Sequence, residues 1–137
     1  MPSKLLVIDD QPGVAKVLAL IADGLGFETK VLTCPFQAID TFMDMRPDVV
    51  ILDMIMPEKD GIDVLHELML TGVPCRIILT TGLSDAYLRL AEGIANFYGR
   101  EVTVLRKPFR REEIVALLLA AEAKAGRRKR PELVVCA

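Results

Sequence analysis

The chain has no tryptophan, one histidine, three cysteines and only 5% aromatic residues among 137 positions. A lone histidine, His66, offers no partner for a relay, so it reads as a surface or interfacial residue. Cys34, Cys75 and Cys136 form no CxxC pair, which argues against a zinc site or a disulfide framework and leaves reduced structural thiols. No apolar run approaches the roughly 18 residues that a membrane-spanning helix needs, and the N-terminus lacks a signal-type segment. The expectation is a soluble, cytoplasmic chain with no membrane insertion. Net charge is −2, so a globally basic nucleic-acid binder is not indicated. That near balance hides an asymmetry. Residues 1–120 hold 12 Lys and Arg against 17 Asp and Glu, a net −5, whereas residues 121–137 hold 5 against 2, a net +3.

Apolar residues are plentiful, at 52%, and charged residues make up 26%, enough to bury one core and to rule out global disorder. Short aliphatic runs and helical patterns alternate five times. Leu5 to Ile8, Phe27 to Leu32, Val49 to Leu52, Ile77 to Leu79 and Val102 to Arg106 read as strands. Between them Val14, Val17, Leu18, Ile21 and Leu25 recur at helical spacing, with Gly24 and Gly26 closing that helix. Phe36, Ile39, Phe42 and Met43 mark the inner face of a second helix ending before Pro47, and Ile62, Leu65 and Leu68 that of a third. The fourth, from about Asp85 to Tyr98, has a weaker stripe. The fifth runs from about Arg110 to Lys124 with Ile114, Leu117 and Leu118 inward.

Strands one, three and four are unbroken aliphatic runs, as parallel strands covered on both faces should be. Strands two and five carry Glu28, Thr29, Lys30 and Thr103 and belong at the edges. With right-handed crossovers this predicts a doubly wound α/β fold, (βα)5, with a five-stranded parallel sheet in the flavodoxin-like order 2-1-3-4-5.

Ligands of such sheets bind at the carboxyl ends of the strands, where the winding reverses. Strand one ends in Asp9-Asp10, strand three in Asp53, strand four in Thr80-Thr81 and strand five in Lys107. Three carboxylates at one rim repel one another unless a cation neutralises them, and an all-oxygen donor set suits magnesium. Asp53, central in the sheet, is the best candidate for a carboxylate nucleophile toward phosphorus. Strand alternation turns Thr80 away from Thr81.

These residues resemble the receiver domains of bacterial two-component response regulators. The likeness runs from Lys4 to about Lys124, through Val-Ile-Asp9-Asp10, Asp53-Met-Ile-Met-Pro57-Glu-Lys-Asp60-Gly61, Leu-Thr-Thr81-Gly82 and Lys107-Pro108-Phe109. The resemblance implies that residues 1–125 form the receiver and 126–137 a basic tail or linker. Asp53 would take a phosphoryl group from a phosphohistidine on a sensor histidine kinase or a histidine phosphotransfer protein. Asp10, Asp53 and the backbone carbonyl of Ile55 would bind Mg2+ directly, with Asp9 acting mostly through water. Lys107 would pair with a phosphoryl oxygen or with Asp53, Thr81 would be the switch hydroxyl, and the Lys107-Pro108 bond would be cis. The changed surface would lie around helix four, strand five and helix five.

Three positions depart from the usual pattern. Val104 stands where relatives often carry an aromatic residue, and Ile55 and Leu83, which flank the phosphoryl group in this family, are both apolar. Water is poorly oriented beside such side chains, so slow loss of phosphate is expected.

Other readings fit less well. A haloacid-dehalogenase type phosphohydrolase needs an acid two residues after its nucleophile, where Ile55 stands. A flavin or nucleotide binder needs a Gly-rich or hydroxyl-rich loop where Asp9-Asp10-Gln11-Pro12 stands. Asp9-Asp10 alone could be a helix cap, and Asp60-Gly61 a simple turn and helix start. A docking or dimerisation module that ignores phosphorylation is the remaining alternative, and a homodimer stays open. The run Arg127-Arg128-Lys129-Arg130 reads as a solvated tail before a nucleic-acid or lipid contact. Too little follows helix five for an evident output domain, so the chain is expected either to stand alone or to belong to a longer regulator.

Overall fold

The computed structural model describes residues 2–82 and 85–122. Leu83, Cys136, the expected last turn of helix five and the basic tail lie outside the described residues. The elements run β1 (Lys4–Ile8), α1 (Pro12–Gly24), β2 (Glu28–Leu32), a 3-10 turn (Pro35–Gln37), α2 (Ala38–Met45), β3 (Val49–Asp53), α3 (Gly61–Leu70), β4 (Arg76–Thr81), α4 (Asp85–Phe97) and β5 (Val102–Arg106). A fifth helix, α5, covers residues 111–122. All strand pairs are parallel, in the order β2-β1-β3-β4-β5.

Period-2 alternation along the strands divides the apolar residues into two layers. Leu6, Ile8, Val50, Leu52, Ile77 and Leu79 face one cluster with α2, α3 and α4. Leu5, Val7, Val49, Ile51 and Ile78 face another with α1 and α5. Residues on β1 from Leu5 onward and all of β3 are buried, whereas Glu28, Lys30 and Val31 of β2 are exposed. The edge assignment made from composition therefore holds. No described helix is long and apolar enough to cross a membrane.

Three inward assignments fail. Phe36 sits in the 3-10 turn before α2 and is 61% exposed, with the Lys59 ammonium 5.7 Å from its ring centroid. Met43 and Val17 lie one step round their helices from Phe42 and Leu18, which take the core positions and leave the neighbours turned outward. The apolar face of α4, expected to be weak, is built on the buried Leu88, Ala91 and Ala95, with Tyr87 and Ile94 packed partly buried beside them.

Local chemistry ends the helices. After α1, Gly26 adopts φ +92°. Arg46 closes α2 in the left-handed region at φ 51°, held by its N–H donating to Phe42 O at 2.8 Å and its Nε donating to Met43 O at 3.1 Å. The Arg100 guanidinium donates to the carbonyls of Val73 and Cys75 at 3.2 and 2.7 Å, tying the segment after α4 to the one after α3. His66 is exposed, with Nε2 2.8 Å from the Tyr98 hydroxyl.

Candidate functional site

Parallel strands ending at one level deliver Asp9 and Asp10 just past β1, Asp53 at the end of β3, Thr81 at the end of β4 and Lys107 just past β5. Carboxylate oxygens of Asp9, Asp10 and Asp53 lie within 4.8 Å of one another. Asp9 and Asp53 are 1% and 4% exposed, so this charge sits where water screens it poorly. The Lys107 ammonium reaches across to both, 3.4 Å from Asp53 Oδ1 and 3.6 Å from Asp9 Oδ2. The Lys107-Pro108 bond is cis.

Asp9 and Asp53 are positioned by backbone donors. Gln11 N–H donates to Asp9 Oδ1 at 2.9 Å, and Ile55 N–H donates to Asp53 Oδ1 at 3.3 Å. Burial first, and then the Asp9 carboxylate, push Asp53 from 3.8 up to about 6, against the opposing pull of Lys107 and the Ile55 N–H. The second oxygen of Asp9 is sealed from solvent and makes no hydrogen bond. It faces the Lys107 ammonium at 3.6 Å, a single cation shared among three clustered acids, which leaves negative charge for a second cation to offset. The oxygen-only donor set of Asp9, Asp10 and Asp53 therefore fits a hard divalent ion.

A cleft of about 280 Å³ opens beside the acids, lined by Gln11, Asp53, Ile55, Thr81, Gly82 and Lys107. Thr80 and Thr81 separate as alternation requires. Thr81 lines the cleft, while Thr80 is fully buried with its hydroxyl making no hydrogen bond. Ile55, 49% exposed, forms an apolar side of the cleft.

Two residues carry more of the site than their sequence context indicates. Gln11 lines the cleft although it lies one position beyond the acidic pair. Gly61 is more than a turn residue: a Cβ built there would lie 2.5 Å from Asp53 O and from Met54 Cα. A glycine at the first position of a helix, where other residues are ordinarily accepted, was the available signal.

Comparison with known proteins gives a consistent picture. DNA-binding response regulator MtrA of Mycolicibacterium smegmatis is 36% identical over 123 residues, covering 88% of this chain and 50% of that protein. Response regulator MprA of a Mycobacterium species is 31% identical over 120 residues, with 88% and 50% covered. The chain thus spans about half the length of the curated relatives it matches. Among solved structures, chemotaxis response regulator CheY4 of Vibrio cholerae superposes with a TM-score of 0.75 at 20% identity, covering 88% of this chain and 99% of that one, a likeness of fold. The profile described as "Response regulator receiver domain" matches residues 5–119. That match begins within β1 and reaches into α5, taking in every strand and every acid of the rim, and the chain belongs to the response regulator receiver family.

Proposed function

We propose that this protein is a phosphorylation-dependent signalling switch whose acceptor is Asp53, and that its donor is a phosphohistidine on a sensor histidine kinase or a histidine phosphotransfer protein. An Asp53 carboxylate oxygen attacks phosphorus, the P–N bond to the histidine breaks, and the imidazole leaves with the bonding pair. The observation that supports this most is the pairing of a buried, ionisable Asp53 with a fixed ammonium at 3.4 Å beside an acid whose second oxygen has no hydrogen bond.

Asp9, Asp10, Asp53 and the Ile55 carbonyl are the proposed holders of Mg2+, which when bound supplies positive charge against the phosphoryl oxygens. Lys107 Nζ then exchanges part of its interaction with Asp53 for a phosphoryl oxygen, and the Thr81 hydroxyl donates to another. Movement of Thr81 carries the segment after β4, so the altered surface is that of α4, β5 and α5. Val104 on β5 leaves this displacement to the threonine, without an aromatic partner on that strand.

In this reading residues 1–125 are the switch unit and 126–137 a basic tail or linker. The protein works in the cytoplasm and turns over no substrate besides its own acyl phosphate. An output domain comparable to the unmatched half of the DNA-binding relatives is one destination for the signal, and a separate protein target is the other.

The test is incubation of purified protein with Mg2+ and a small phosphodonor, followed by mapping of the label. One hydroxylamine-sensitive phosphoryl group on Asp53 is the expected result. No label, or a label elsewhere, overturns the reading and favours a docking or dimerisation module.

A second measurement concerns lifetime. Ile55 gives water no hydrogen-bonding partner at the cleft, so Ile55→Asn is expected to shorten the acyl-phosphate lifetime by about threefold or more. An unchanged or longer lifetime contradicts this.

A further inference from the structure

α4 carries two apolar faces. The inner one, Leu88, Ala91 and Ala95, is buried. A second stripe, Leu90, Gly93, Ile94 and Phe97, follows the spacing of three and four that puts residues on one side of a helix. Leu90 is 53% exposed and Phe97 82%, and with His66 of α3 the stripe lines a groove of about 350 Å³ on the α3 side of α4. The Phe97 ring is held in place. It meets Tyr98 edge to face, with ring centroids 5.1 Å apart at 83°, and the Tyr98 hydroxyl lies 2.8 Å from His66 Nε2. A large apolar side chain fixed in water beside an apolar groove has the makings of an interface anchor.

Gly93 sits at the middle of this stripe. A glycine inside a helix destabilises it relative to alanine, so its presence calls for a packing reason. Within the described chain there is none, because a Cβ built at Gly93 meets nothing within 4 Å. Gly13 and Gly24 are equally open, but they lie in the first and last turns of α1, where a helix is less demanding. What bare backbone at position 93 permits is close approach from outside, with Leu90, Ile94 and Phe97 flanking the incoming group.

We propose that the incoming group is a second copy of this chain, docked two-fold and antiparallel along the outer stripe of α4. Charge selects the side. Towards β5, Glu92 and Glu101 line a cleft of about 190 Å³, so two copies meeting there would set acid against acid. Towards α3, Arg89 is the one permanently charged residue lining the groove. Pairing centred between Gly93 and Ile94 brings Phe97 level with Leu90 of the second copy, and Ile94 level with its Gly93. Each large side chain then meets an apolar one or bare backbone, and the stripe is both knob and socket, as an isologous contact requires. Arg89 stands level with Tyr98 of the second copy, an aromatic partner for a guanidinium. The two Arg89 side chains lie nine residues apart along the axis, about 13 Å, beyond the roughly 8 Å over which exposed charges act in physiological salt. Phe97 and Leu90 offer on the order of 250 Å² per copy, so with its rim the contact reaches only the lower end of specific interfaces, roughly 1,200 Å² in total, and the dimer is weak. The pairing needs no phosphoryl group and is independent of the role given to Asp53.

The experiment is sedimentation of the full chain from about 5 µM to about 1 mM, where a monomer–dimer equilibrium with a Kd of roughly 10–300 µM is expected. Phe97→Glu and Gly93→Gln should each raise that Kd at least about tenfold, and Glu101→Gln on the β5 side should leave it within about twofold. Thermal unfolding of dilute, monomeric protein separates contact from damage. Gly93→Gln should be at least as stable as wild type there, because glutamine is the better helix former. Wild type that stays monomeric throughout overturns the inference. So does a dimer that persists unchanged in either variant, since another face then holds it, and so does a loss of pairing in Glu101→Gln equal to that in Phe97→Glu. Should Gly93→Gln fail to fold, Phe97→Glu decides alone, its side chain being 82% exposed and outside the core.

Discussion

Replacing Gly61 with alanine is expected to cost about 3–4 kcal/mol of stability, a large share of the roughly 5–15 kcal/mol that holds a domain of this size. The added Cβ would lie 2.5 Å from Asp53 O, 2.5 Å from Met54 Cα and 2.8 Å from Met54 O. All three are backbone atoms of the buried end of β3, and none can rotate aside as a flexible side chain would. Gly61 N–H also donates to Met54 O at 3.0 Å, so backing the helix away breaks that bond. Accommodation would push the start of α3 outward and drag the Asp53 main chain with it. Gly13 in α1 is the natural control, because nothing lies within 4 Å of a Cβ built there. Gly13→Ala should be neutral or stabilising by up to about 1 kcal/mol. Urea unfolding of both variants checks the pair. A Gly61→Ala stability within about 1 kcal/mol of wild type would show that the start of α3 can yield to the added methyl group.

Asp53→Asn is expected to act in the opposite direction on stability while abolishing the label. The ionised acid is held in a buried place beside Asp9, so its folded-state pKa is raised from 3.8 to about 6. Between those values the folded protein binds more protons than the unfolded chain, and stability falls as pH rises through the interval. Above about pH 6 the penalty is complete, on the order of 3 kcal/mol for a shift of this size. Asparagine carries no charge to penalise. In chelator-treated protein the variant should therefore exceed wild type by about 2–3 kcal/mol at pH 7.5, with the gap closing as pH falls below 4. Added Mg2+ should raise the melting temperature of wild type more than that of the variant, because an ion bound only by the folded acids stabilises by mass action. Thermal melts at three pH values, with and without Mg2+, decide the matter. A variant less stable than wild type at pH 7.5 without metal would mean that the Lys107 interaction outweighs burial.

Much of this arrangement was legible in the residue order, for an identifiable reason. The Asp9-Asp10 pair and Asp53 follow an aliphatic run directly, Thr81 and Lys107 follow one with a single residue between, and parallel strands ending at one level must bring such residues together. The sheet order was legible because burial on two faces demands continuous aliphatic strands, while Glu28, Lys30 and Thr103 fit only where one side is open. What escaped depends on contacts through space. Phe36, Val17 and Met43 fit an apolar periodicity without being the residues that reach the core. The need for glycine at position 61 comes from a strand end eight residues earlier in the chain, and the helix-start glycine itself is the one local sign of it. Gln11 lines the cleft from the first residue beyond the acidic pair, a place that no apolar run marks.

The modest side chains that seat α4 have a consequence for how a charge on Asp53 travels. α3 buries Val64, Leu65, Leu68 and Met69, whereas the innermost residues of α4 are one leucine and two alanines. Each alanine forfeits the three further carbons of a leucine, at about 0.8 kcal/mol per buried methylene, so sliding or tilting α4 uncovers far less oil than moving α3 would. In the proposed switch, displacing α4 would therefore uncover less apolar surface than displacing α3, whose first residue is wedged against the end of β3.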